Sequence, residues 1–134
     1  MPIEYRSEAL LRSLAALHHD VPEIHGSAII THDGLVIASY PPGWDADIHD
    51  PTGGENVAAM AAVVAGLAER TLTRLDQGEL QRVVMEGARG TVGVIPASAD
   101  SALALLIAKN AKLGLTLHAA RQTADQIRAI LDNR

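Results

Sequence analysis

The chain has 134 residues, a formal net charge of −5, 48% hydrophobic and 20% charged side chains, and no cysteine. That length suits a single domain over 1–134 with one core, and the composition excludes a disordered chain. An acidic balance without a Lys/Arg cluster leaves no electrostatic footprint for nucleic acid, and the lack of thiols excludes a disulfide framework or a thiolate zinc site. Aromatic residues are only 2%, with no Phe, so the core must be built from Leu, Ile, Val and Ala. The opening MPIEYRSEALL lacks a basic start followed by an apolar core. No secretory signal is read there, and the cytoplasm is the expected compartment.

In chain order, Glu4–Asp20 carries Leu10, Leu14, Leu17 and Val21 at i, i+4, i+7 and i+11, which predicts an amphipathic helix ended by Pro22. Two β-branched runs, Ser27–Thr31 and Leu35–Tyr40, flank His32-Asp33-Gly34, the strongest hairpin signal in the chain. Pro41–Gly54 holds three of the six prolines, three glycines and the only Trp. It predicts a loop long enough to be functional or mobile.

A helix from Glu55 to Leu75 follows, with Glu55 suiting the positive end of its dipole and Gly78 closing its exit. Inside it, Val57–Ala68 is a run of twelve residues without one polar side chain. That is too short for a membrane span of about 20 residues. One side carries Val57, Met60, Ala61, Val64, Leu67, Ala68 and Leu75; the other carries Ala58, Ala62, Ala65 and Gly66. A helix that is apolar all round is expected to be covered all round. The bulky side is assigned to the chain's own sheet and the small-residue side to a second copy of the same helix, giving a homodimer. The alternatives are a helix sandwiched within the monomer, or an Ala-rich helix that tolerates exposure.

Leu80–Glu86, Thr91–Ile95 stopped by Pro96, and Ala102–Ala108 predict three more strands, joined by connections too short for a parallel crossover. A last helix, from Gly114 or Leu115 to Leu131, repeats Leu117, Ala120, Ala124, Ile127 and Leu131 on one side. The expected fold is α+β, an α/β sandwich: a five-stranded antiparallel sheet with helices on its faces, in the order α-β-β-α-β-β-β-α.

No motif for catalysis emerges. His18, His19, His25 and His32 cluster in sequence without metal-ligand spacing. Asp45-x-Asp47-x-His49 opens like a calcium loop, but Asp50 stands where Gly is needed at position six and Asn56 where a bidentate Glu is needed at twelve. There is no phosphate-binding Gly-x-x-x-x-Gly-Lys-Ser/Thr, the spacing of Gly87, Gly90 and Gly93 is wrong for a dinucleotide fingerprint, and no Gly-x-Ser-x-Gly elbow occurs. Arg89, in a Gly-Ala-Arg-Gly turn, is the freest arginine for acting in trans on a nucleotide, though a solubilising turn-tip role is the simpler reading. The chain is expected to be non-enzymatic, with no cofactor and no metal.

The ordered set GSAIITHDGLVIAS, AERTLTRLDQGELQRVVME, GTVGVIP, LALLIAKNAKLGL and the closing helix resembles the Roadblock (dynein light chain) family, in particular its bacterial MglB-like branch, from about Ala9 to Leu131. The resemblance implies a Roadblock/profilin-like fold. It also implies dimers in which long central helices pack antiparallel and third strands pair edge to edge; here that strand is Leu80–Glu86. The expected interface is therefore Ala58, Ala62, Ala65, Gly66 and Glu69 of the helix with Leu80, Arg82 and Val84 of the strand. The expected partner is a small Ras-like GTPase, which such proteins activate, help to exchange or hold on a platform. A structural adaptor of motor or signalling complexes, indifferent to nucleotide state, is the alternative. A small-molecule sensor or enzyme built on a deep polar pocket near Asp45, Asp47 and His49 is a third. Two departures from the family pattern stand out: the long acidic Pro41–Gly54 loop, and Lys112-Leu113-Gly114 where Asn-Leu-Gly is common, with Asn110 upstream.

Overall fold

The computed structural model describes residues 3–132, with side chains from Arg6 onward. The ends of the 1–134 domain assignment, and the first residues read for a secretory signal, lie outside the described residues. The element order is the expected one: α1 (Ile3–Asp20), β1 (Ile24–Thr31), β2 (Val36–Tyr40), α2 (Gly54–Arg74), β3 (Val83–Glu86), β4 (Gly90–Ser98), β5 (Ser101–Ala108) and α3 (Leu113–Asp132). The strands form one antiparallel sheet in the order β2-β1-β5-β4-β3.

Strand alternation divides the apolar residues between two layers. On one face, Ile29, Ile95, Leu103, Leu105 and Ile107 meet Leu10, Leu14 and Leu17 of α1 and Ala120, Ala124 and Ile127 of α3. On the other, Ala28, Ile30, Val94 and Ala104 meet Val57, Ala58 and Ala61 of α2. The first layer is thick and made of branched side chains. The second is thin: alanines of the sheet meet alanines of the helix, so the two backbones lie close.

That thinness corrects the assignment of faces on α2. Ala58 and Ala61 are fully covered by the chain's own sheet, and Ala62 and Ala65 pack against the same cluster. Met60, Val63, Leu67 and Leu75 are instead 53, 62, 58 and 63% exposed. The sheet surface beneath the helix is made by Ala28, Ile30, Val94 and Ala104; of the side assigned to it, Val57 and Ala61 do face it, while Met60, Leu67 and Leu75 turn outward and Ala58 takes their place.

Three strand boundaries also differ from expectation by more than one residue. β1 begins at Ile24, ahead of Ser27, because a register shift between Ile24 and Gly26 carries the pairing with β5 past the irregular His25-Gly26 step. β4 runs through Pro96 to Ser98. The proline lies beyond the last β3 pair, Val83↔Val94, and beside a register shift, a setting where its missing N–H is tolerated. β3 starts at Val83, not Leu80; the carbonyl of Gln81 accepts a hydrogen bond from the Arg121 guanidinium of α3.

The exit of α2 uses Asp76, not Gly78. Asp76 adopts φ 55°, its N–H donates to the Thr73 carbonyl, and the Gln77 N–H donates to the Leu72 carbonyl. These two bonds are the Schellman pattern that satisfies the last carbonyls of a helix. Gly78, at φ 88°, turns the chain afterwards.

Candidate partner interface

The outward side of α2 repeats Met60, Val63, Val64 and Leu67 at helical spacing, with the first, second and fourth more than half exposed. Beside it runs β3, the edge of the sheet, whose one strand neighbour among the described residues is β4. Between the two lies an open groove of about 480 Å³, with Val64, Leu67, Thr71 and Leu72 on the helix side and Leu80, Arg82 and Val84 on the other. An apolar helix stripe next to unpaired strand backbone is a surface that soluble proteins ordinarily cover.

The residues expected at this interface divide into two groups. Leu80 and Val84 are half-buried and Arg82 is exposed, all on the groove. Gly66 is half-buried and Glu69 exposed, next to a second hollow formed with the β4–β5 hairpin at Pro96 and Ser98. Ala58 is fully buried against the chain's own sheet, whereas Ala62 and Ala65 are half-buried, packing on the same layer and also lining the hollow beside Gly66 and Glu69. Sequence reasoning missed Val63 as an outward residue and placed Met60 and Leu67 on the inward side. The signal available was the small-residue content of β1 and β5 at Ala28, Ala102 and Ala104, which dictates a close-lying helix.

The Pro41–Gly54 loop is tied down by its tryptophan. The Trp44 indole lies over Gly26 of β1 and Gly54 of α2, so close that a Cβ on Gly26 would sit 2.3 Å from Cε2. Trp44 Nε1 donates to the Thr52 carbonyl at 2.9 Å. The loop's carboxylates serve the loop itself: Asp47 accepts from the His49 N–H, and Asp50 accepts from both the N–H and the hydroxyl of Thr52. Asp45, Asp47 and His49 are not in the wall of the cleft that Trp44 borders.

The histidines are dispersed. His18 is half-buried, with Nε2 2.8 Å from the Ser27 hydroxyl and its ring 4.7 Å from that of Tyr40. His19, His25 and His32 are exposed, and His32 Nε2 lies 3.6 Å from Asp33. Among the described residues no three His, Cys, Asp or Glu side chains converge on a common point. Among the described residues no helix is long and apolar enough to cross a membrane.

Comparison with known proteins agrees with this architecture. The Roadblock/LC7 domain model matches residues 11–107. The uncharacterized protein MJ0310 of Methanocaldococcus jannaschii is 35% identical over 108 residues, covering 80% of this chain and 87% of its own. Among solved structures, the gliding protein MglB of Thermus thermophilus superposes with a TM-score of 0.82 at 19% identity, over 96% of this chain and 93% of that one. LokiProfilin1, solved with rabbit actin, gives 0.61 at 16% identity over 92% and 97%. The fold is thus the one shared by Roadblock domains and profilins, and the extent of the sequence match places the chain in the Roadblock/LC7 family.

Proposed function

We propose that this protein is a non-catalytic homodimeric regulator or scaffold for a Ras-like small GTPase. The observation that carries the reading is the uncovered apolar stripe Met60-Val63-Leu67 lying alongside the free edge of β3. A second copy related by a two-fold axis covers both at once, helix against helix and strand against strand, because such an interface presents the same patch on each partner. The likeness in fold to MglB supports the regulator reading, as does the Roadblock family's general association with small GTPases. The interface residues then become Met60, Val63, Val64 and Leu67 with Leu80, Arg82 and Val84. Ala58, Ala62 and Ala65 act from behind, setting the height of the helix above its own sheet.

The test is binding of the purified protein to the small GTPases encoded in the same genome, each loaded with GDP or with a non-hydrolysable GTP analogue. Preference for one nucleotide state is the expected result. Binding that ignores the nucleotide indicates the adaptor role instead, and no binding to any of them removes the GTPase reading.

A further inference from the structure

The α2 face of the sheet is only partly roofed by α2. Val92 of β4 and Leu106 of β5 are register partners on that face, two residues along from the covered pair Val94 and Ala104. Both are half-buried, and they form the floor of a cleft of about 730 Å³ to which α2 contributes no residue. This size lies within the range of small-molecule sites, about 300–1,000 Å³.

One wall is the Trp44 indole, held in place over Gly26 and by its hydrogen bond to the Thr52 carbonyl. Arg89, from the turn between β3 and β4, stands at the rim with His25 of β1. Asp50 also borders the cleft, but its Oδ1 already accepts two hydrogen bonds from Thr52, both at 2.9 Å. The ion pairs among the described residues do not involve Arg89. The cleft therefore combines an apolar floor, a fixed aromatic wall and, on its lining, a guanidinium without an ion-pair partner among the described residues and a carboxylate, Asp50, that keeps its charge but is held toward Thr52.

We infer that this cleft is a binding site for a small amphiphilic carboxylate, with its apolar body on Val92 and Leu106 against Trp44 and its carboxylate on Arg89. The guanidinium fork matches a carboxylate in geometry as well as in charge. A cationic amphiphile brings a like charge to Arg89 and finds in Asp50 a carboxylate whose Oδ1 is already engaged by Thr52, and a neutral one leaves the guanidinium unused. The site lies on a different part of the sheet from the α2–β3 groove and does not depend on a GTPase partner.

Trp44 is the only tryptophan in the chain, so its emission reports on the cleft directly. The full chain is titrated with decanoate, decanol and decylamine below their aggregation limits. Decanoate is expected to give a saturable change in Trp44 emission, with decanol and decylamine at least about tenfold weaker, the factor that corresponds to one charge-assisted contact. Arg89→Gln, an exposed substitution whose fold is checked by circular dichroism, is expected to weaken decanoate about tenfold while leaving decanol unchanged. Methyl NMR shifts on Val92 and Leu106 place the ligand independently of the arginine. A non-saturating response to decanoate, equal affinity for all three probes, or methyl shifts confined elsewhere overturns the inference.

Discussion

Two residue contacts join segments far apart in sequence, and each makes a measurable claim. His18 links α1 to β1 through Ser27, a hydroxyl with no solvent exposure. Burial holds the His18 pKa below its usual 6.5, opposed in part by a backbone hydrogen bond at Ile24. The native state therefore binds fewer protons here than the unfolded chain does. This contribution to stability is complete above the unfolded pKa and is lost as pH falls through the folded one. Urea midpoints are expected to be flat at mildly alkaline pH and to fall as pH drops below the usual histidine value of 6.5, with His18→Gln removing that limb of the profile. A wild-type midpoint that rises over the same window contradicts the assignment. Gly26 makes a steric claim. In Gly26→Ala the new methyl meets the Trp44 ring at an impossible distance, so the indole must leave. A red-shifted emission is expected, with a loss of about 1–3 kcal/mol, as for overpacking elsewhere. An unshifted spectrum shows that the loop gives way without moving its tryptophan.

Among the elements, those with a clean period were legible and those apolar on every side were not. Leu10, Leu14 and Leu17 of α1, and Leu117, Ala120, Ala124 and Ile127 of α3, are buried where their spacing puts them. The Asp33-Gly34 hairpin forms as expected, with Gly34 at φ 86°. In α2, periodicity locates two apolar sides but contains nothing to choose between them; the choice is made by the height of the sheet below, a tertiary quantity. Pro96 is the same lesson in a strand, since a proline stops pairing only where a neighbour needs its N–H. For the proposed interface, the edge-strand side chains Leu80, Arg82 and Val84 are shared by the sequence and structural readings, which differ in which side of α2 is offered. The tight fit under α2 gives its own test. Ala61→Leu adds bulk at a position with no exposure, between helix and sheet. It is expected to lower the denaturation midpoint by about 1–3 kcal/mol and to do so equally at high and low protein concentration. Tolerance of Leu there means that the helix is free to lift, and the close-packed account of this layer fails.

For the molecule as a whole, one sheet face is finished and the other is not. The α1/α3 face is closed by large side chains, whereas α2 leaves Met60, Val63 and Leu67 in solvent beside the outer edge of β3. Fully covering a side chain of this kind contributes about 1.5–3 kcal/mol, so a two-fold interface that buries the stripe on both copies has ample driving force against the cost of association. Because that stabilisation belongs to the dimer, thermal stability should depend on protein concentration. Light scattering is expected to give twice the chain mass, with a melting temperature that climbs on concentration. Val63→Arg places a charge in the centre of the stripe without touching the sheet, and is expected to yield a folded monomer whose melting temperature no longer varies with concentration. Ala62→Arg is the contrasting variant: the residue is half-buried where α2 packs on its own sheet, and the change should destabilise the monomer instead of separating a dimer. Were Ala62→Arg to give a well-folded monomer and Val63→Arg an intact dimer, the small-residue side would be the true seam and the faces of α2 would have to be exchanged.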